Sequence, residues 1–91
     1  MNNQKLIIES LSMDLKRVAL GLYRGSYPVA NRFKEEVLKR SQELENQKPK
    51  NYLNKLIKNM KLSLLGNNEQ AAEDALMYST LFQNYVIKKL S

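Results

Sequence analysis

The sequence predicts an all-α fold, an up-and-down bundle of four helices over residues of about 3–24, 27–46, 49–65 and 68–90. Three observations predict it. Apolar residues recur at steps of three and four in four stretches, which is the period of one helix face. Gly25, Pro49 and Gly66-Asn67-Asn68 punctuate the chain between those stretches. The stretches are too long, and too rich in Leu, Lys, Glu, Gln and Asn, to read as strands. Short connections favour antiparallel neighbours. Three helices with a long packed loop is the competing arrangement, and dimerisation is a further way to complete a small bundle.

The first segment carries Ile8, Leu11, Leu15, Val18 and Leu22 on one face. Asn2 or Asn3 is placed to cap its start. Gly25 is placed to stop it in a left-handed conformation. Gly21 sits in its last turn, where it either permits close packing or weakens the end.

The second segment opens at Ser26-Tyr27-Pro28, since proline suits a first helical turn. Its stripe is narrow: Val29, Ala30, Phe33, Val37 and Leu44. Arg32–Glu36, Glu35–Lys39, Glu36–Arg40 and Lys39–Glu43 stand four apart on the other side. At about 0.2–0.5 kcal/mol each, such pairs mark a solvated face, so this helix is expected to be the most peripheral.

Asn46 to Lys50 is the second break, because the residue before Pro49 is pushed out of helical geometry. The third segment then lines up Leu53, Leu56, Ile57, Met60 and Leu64, with Gly66 as its expected stop and an Asn as the next cap. The fourth has Glu69, Glu73 and Asp74 near its start and Lys88 and Lys89 near its end, an order that suits the helix dipole. Ala72, Ala75, Leu76, Ser79, Phe82 and Val86 make its wide apolar face.

The 91 residues, 43% hydrophobic and 26% charged, are expected to form one domain, 1–91, around one modest core. No apolar run approaches the roughly 18 residues of a membrane span, and the opening Met1 to Glu9 has an apolar run too short for a secretory leader. The chain has no cysteine and no histidine, which removes disulfides, thiolate chemistry, zinc-finger and iron–sulfur ligation, and the commonest general base. A cytoplasmic protein with no cofactor and no metal fits best. Net charge of +6 makes nucleic acid, an anionic surface or an acidic protein plausible partners.

Three surfaces stand out. Leu6, Met13 and Leu20 are seven apart, about 170° from the core stripe of their helix. A helix apolar on two sides is either central in its own bundle or shared with a second copy, and the limited covering material favours a homodimer. From Asn46 to Asn68 there is no acid, yet Lys48, Lys50, Lys55, Lys58 and Lys61 fall there. Those lysines read either as a solvated face or as a phosphate-contacting one. The tract has no arginine, so bidentate reading of guanine is not expected.

Finally, Tyr23, Arg24, Tyr27 and Arg32 gather about a glycine turn and a helix start, where an anion or ring could dock. The plainer reading has Arg24 capping carbonyls and the two tyrosines covering the end of the core. Tyr78 and Tyr85 read as a core edge. Adjacent acids such as Glu35–Glu36 and Glu73–Asp74 do not face each other on a helix, so no catalytic pair is expected. A helix-turn-helix is rejected, because its recognition helix would open on three acids. Two functions follow: a small non-enzymatic interaction or regulatory protein acting through helix surfaces, or a nucleic-acid accessory protein using the Lys48–Lys61 face.

Overall fold

The computed structural model describes residues 3–90. Helices α1 (Asn3–Tyr23), α2 (Tyr27–Asn46), α3 (Asn51–Ser63) and α4 (Glu69–Tyr85) follow one another, and a π-helical turn, Val86–Leu90, continues from α4. The expected four-helix bundle is the fold. α1 packs along both α2 and α4, while α3 lies diagonally from α1 and, among the described residues, brings its backbone close to α2 and α4. α3, not α2, is therefore the least engaged helix, although Leu53, Ile57 and Met60 on it are fully buried. No helix among the described residues is long and apolar enough to cross a membrane.

The core is the set the periodicity points to: Ile8, Leu11, Leu15 and Val18 of α1, Val37 and Leu44 of α2, Leu53, Ile57 and Met60 of α3, and Phe82 of α4. Two seams set how closely α1 approaches its neighbours. Against α4, Ser12 Oγ donates to the Ser79 carbonyl at 2.8 Å, and Ser79 Oγ donates back to the Ser12 carbonyl at 2.7 Å. Both hydroxyls are buried, and each proton has a carbonyl acceptor. Ala19 lies two turns along from Ser12, and Ala72 and Ala75 extend the Ser79 face, so the seam is small throughout. Against α2, Gly21 is the contact. A β-carbon there would stand 3.0 Å from the Ala30 backbone nitrogen and 3.2 Å from its Cα, so only glycine lets the two backbones meet.

The α1–α2 turn closes as a Schellman motif. Gly25 adopts φ of +70°, Gly25 N donates to the Leu22 carbonyl at 3.1 Å, and Ser26 N donates to the Gly21 carbonyl at 2.8 Å. At the same end of the bundle, the Asn68 side chain accepts from Ala71 N at 2.9 Å and caps α4, as expected of an asparagine there. The Lys34 ammonium donates to the Gly66 carbonyl and to Asn67 Oδ1, tying α2 to that turn, and burial lowers its pKa from the ordinary lysine value.

Several expectations need correction. The cap expected at Asn2 or Asn3 rests on side chains outside the described part. α3 begins at Asn51 rather than near residue 49, because Pro49 and Lys50 stay outside and Lys50 takes the extended N-cap geometry. Gly66 is not the left-handed stop, since Gly25 is the glycine with positive φ. α3 instead tightens into three-residue turns, Leu64 N to the Lys61 carbonyl and Leu65 N to the Leu62 carbonyl. Val29 and Leu76, read as core, are 48% and 42% exposed, because each sits at the margin of its helix's buried arc.

On α2 none of the four pairs four residues apart closes among the described residues; Arg40–Glu43, three apart, does so at 3.7 Å. α2 instead ends with Lys48 in the left-handed region at φ of +51°, a position that favours glycine or asparagine.

Three predictions follow from these contacts. Ser12→Ala and Ser79→Ala each lower unfolding free energy by about 1 kcal/mol, and a double-mutant cycle returns a coupling of at least about 0.5 kcal/mol. Additive single effects in urea denaturation would contradict the reciprocal bond. Gly21→Val forces α1 and α2 apart and costs about 2 kcal/mol, read as a fall in melting temperature of about 8–16 °C. Lys48→Gly relieves the left-handed backbone and raises stability by about 1 kcal/mol.

A basic and aromatic cleft at one end of the bundle

Four chain segments meet where α1 starts, α2 ends, α3 starts and α4 ends. They enclose an open cleft of about 700 Å³ lined by Gln4, Lys48, Pro49, Lys50, Tyr52, Tyr85, Lys89 and Leu90. That volume suits a ligand of nucleotide size. Each wall has a local cause. Proline at 49 ends helical geometry, so Lys48 and Lys50 stand on a bend rather than on a helix flank. Tyr52 lies in the first turn of α3. Tyr85 is the last α-helical residue of α4, and the π-helical turn after it carries Lys89 and Leu90 to the cleft.

The two tyrosines stack, with ring centroids 6.2 Å apart and planes 14° from parallel. Tyr85 is half-buried against the core, whereas Tyr52 is 60% exposed. One ring is thus fixed by packing and supports a second that faces solvent. Offset parallel rings of this kind form a flat apolar platform. Lys48, Lys50 and Lys89 line the same cleft, so three ammonium groups share its walls with the platform. Among the described residues, no acidic side chain lines it.

The lysine tract read from the sequence divides. Lys48 and Lys50 belong to the cleft. Lys55 and Lys58 are exposed on α3. Lys61 leaves the set: its Nζ lies 2.8 Å from Glu45 Oε1, an ion pair joining α3 to α2. Sequence reading placed Lys61 in a free basic band because its partner lies sixteen residues away on another helix. Tyr52 and Lys89 were not singled out for the site. The basic residues around Tyr52 were the available signal, and the fold was needed to bring Tyr85 and Lys89 beside it.

The Tyr/Arg turn is not a converging site. Tyr23 and Tyr27 are 51% and 49% exposed and do not cover the core. No Arg24 side-chain bond to the α1 carbonyls is seen among the described residues. Arg24 lines a shallow surface groove between α1 and α2 with Arg17, Leu20, Gly21, Ser26, Val29 and Phe33, away from the basic cleft. There Arg17 sits 5.4 Å from the centre of the Phe33 ring and 3.2 Å from Asp14 Oδ1. Arg32 is exposed and does not line this groove.

Leu6, Met13 and Leu20 remain 59%, 52% and 44% exposed, even though α1 is flanked by two helices. α2 and α4 take the flanks and leave the outermost line of α1 bare. No family model matches the chain, and comparison with characterised proteins and with solved structures finds none similar to it.

Proposed function

We propose that this chain is a non-enzymatic binding protein whose cleft takes up single-stranded nucleic acid without strict sequence preference. The observation that carries the reading is the convergence of Lys48, Lys50 and Lys89 on the Tyr52–Tyr85 stack. Proteins that hold single strands combine a cationic groove for phosphates with aromatic faces for bases. Every base has a π-face, so stacking of this kind is tolerant of sequence, and lysine acts on phosphate as a point charge. Lys55 and Lys58 on α3 extend the positive field beyond the cleft, within a chain of net charge +6.

The flat rings favour this ligand over an acidic protein segment, which would use the lysines and leave the platform idle. Duplex is disfavoured by the same geometry, because paired bases present no free face to Tyr52. A cleft with no acidic side chain among its described lining residues is also less repulsive to phosphate than the acid-rich start of α4, with Glu69, Glu73 and Asp74.

Fluorescence anisotropy with labelled oligothymidine or oligouridine of about eight nucleotides tests the reading. Binding is expected at low salt, with a log–log salt slope of about −2 for three phosphate contacts on a single strand. Tyr52→Ala weakens it about 5- to 150-fold, from a stacking loss of about 1–3 kcal/mol, while Tyr52→Phe retains it. Lys48→Gly flattens the slope by about 0.7 although it stabilises the fold, so binding and stability move in opposite directions. Preference for duplex or for polyglutamate, or indifference to Tyr52→Ala, would overturn the proposal.

A further inference from the structure

We propose that the outward face of α1 pairs with α1 of a second copy, antiparallel, about a two-fold axis at Met13. The apolar stripe is symmetric in spacing: Leu6 lies seven residues before Met13, and Leu20 seven after it. Antiparallel pairing therefore places Leu6 of each copy against Leu20 of the other, with the two methionines meeting at the axis. A two-fold interface must be self-complementary in this sense.

Charge supplies an independent argument. Glu9 and Lys16 are both exposed and lie on the same flank of the stripe, the flank nearer α4, four residues before Met13 and three after it. A two-fold axis perpendicular to both helices keeps that flank on the same side of the pair. Each Glu9 then faces the Lys16 of the other copy, giving two opposite-charge contacts. A parallel two-fold pair would carry that flank to the opposite side of the seam, so Glu9 of one copy would not meet Lys16 of the other. The Glu9–Lys16 contacts are thus available to the antiparallel pair and not to the parallel one.

The neighbouring helices widen the patch. Met13 shares a groove with Glu9, Gln83, Val86 and Ile87. Leu20 shares the groove on the other side with Val29 and Phe33. Leu76, two turns before Gln83 on α4, adds a further apolar side chain to the same edge and is 42% exposed. Leu6 of one copy is thus presented to the Leu20–Val29–Phe33 groove of the other. Exposed apolar groups that form one patch, rather than standing singly, mark an interaction surface.

Pairing about Met13 leaves the basic cleft open. The cleft includes Gln4 at the start of α1, so the two clefts come to lie at opposite ends of the pair, roughly 25–30 Å apart along the helix direction. The dimer stands without the nucleic-acid reading, since none of its central residues lines that cleft.

Sedimentation equilibrium on the nuclease-treated full chain, without oligonucleotide, tests the pairing. A reversible dimer is expected. Met13→Glu, which sets two carboxylates at the axis, shifts the dissociation constant at least about 100-fold towards monomer with an unchanged circular dichroism spectrum. Glu9→Lys weakens the dimer, and adding Lys16→Glu to it restores the association, a rescue that a structural role for Glu9 would not give. The swap series decides the question even if Met13→Glu alters the fold. A monomeric wild-type chain at several hundred micromolar, a dimer indifferent to Met13→Glu, or no rescue by the double swap would each overturn the proposal.

Discussion

The reciprocal bond between Ser12 and Ser79 sets the distance at which α1 and α4 run, and much of the bundle depends on that distance. Two hydroxyls donate across the seam at 2.8 and 2.7 Å, each to the carbonyl beside the other. Such bonds need the backbones close, and the residues that follow on the same faces, Ala19, Ala72 and Ala75, permit it. Small side chains alone would leave the seam underspecified in register. The serine pair fixes it, because one residue of slip would bury two hydroxyls without partners, at about 1–3 kcal/mol each. Gly21 performs the corresponding service towards α2, through space rather than through a bond. α1 is thus held on both flanks by close contacts, which is why its outermost line is left bare.

The two ends of the bundle are built differently. Where α1 meets α2 and α3 meets α4, termination is regular: a left-handed glycine, an asparagine cap and a lysine bridging to the turn. At the other end the backbone departs from ideal geometry twice. Lys48 is left-handed without being glycine, and the last five residues of the final helix open into a π-helical turn. Left-handed non-glycine residues and π-turns both carry a conformational cost and gather at working sites. Both departures here border one cleft. Their effect is to place Lys48 and Lys89 beside the tyrosine stack, where a regular glycine stop and a straight α-helix would offer neither charge in that position.

The fold was legible because burial in a helical bundle is a periodic property. Ile8, Leu11 and Leu15, or Leu53, Ile57 and Met60, can be read as core from spacing alone, and all are fully buried. Errors arose where position on the arc was marginal, as for Val29 and Leu76, or where an end was set by backbone closure rather than by residue type, as at Gly66. The site was legible only in part. Lys48 and Lys50 were visible as charge, but charge in sequence does not reveal its partners. Lys61 was matched by Glu45 across helices, and Lys34, never singled out, proved to tie α2 to the distant Gly66 turn. Tyr52 meets Tyr85 across thirty-three residues of chain, a juxtaposition that no local pattern encodes.

The apolar line and the basic cleft answer to different forces, and the architecture keeps them apart. The line runs along the outward side of α1, where association would be driven by loss of apolar surface and tolerate salt. The cleft sits at one end of the bundle, where binding would rest on phosphate contacts that salt weakens. Gln4 lines the cleft and Leu6 begins the stripe, so one short stretch of α1 serves both surfaces. The helix period turns Leu6 about 160° from Gln4, however, which directs the two side chains to different sides. A chain with one small core can therefore carry two such surfaces without either one covering the other.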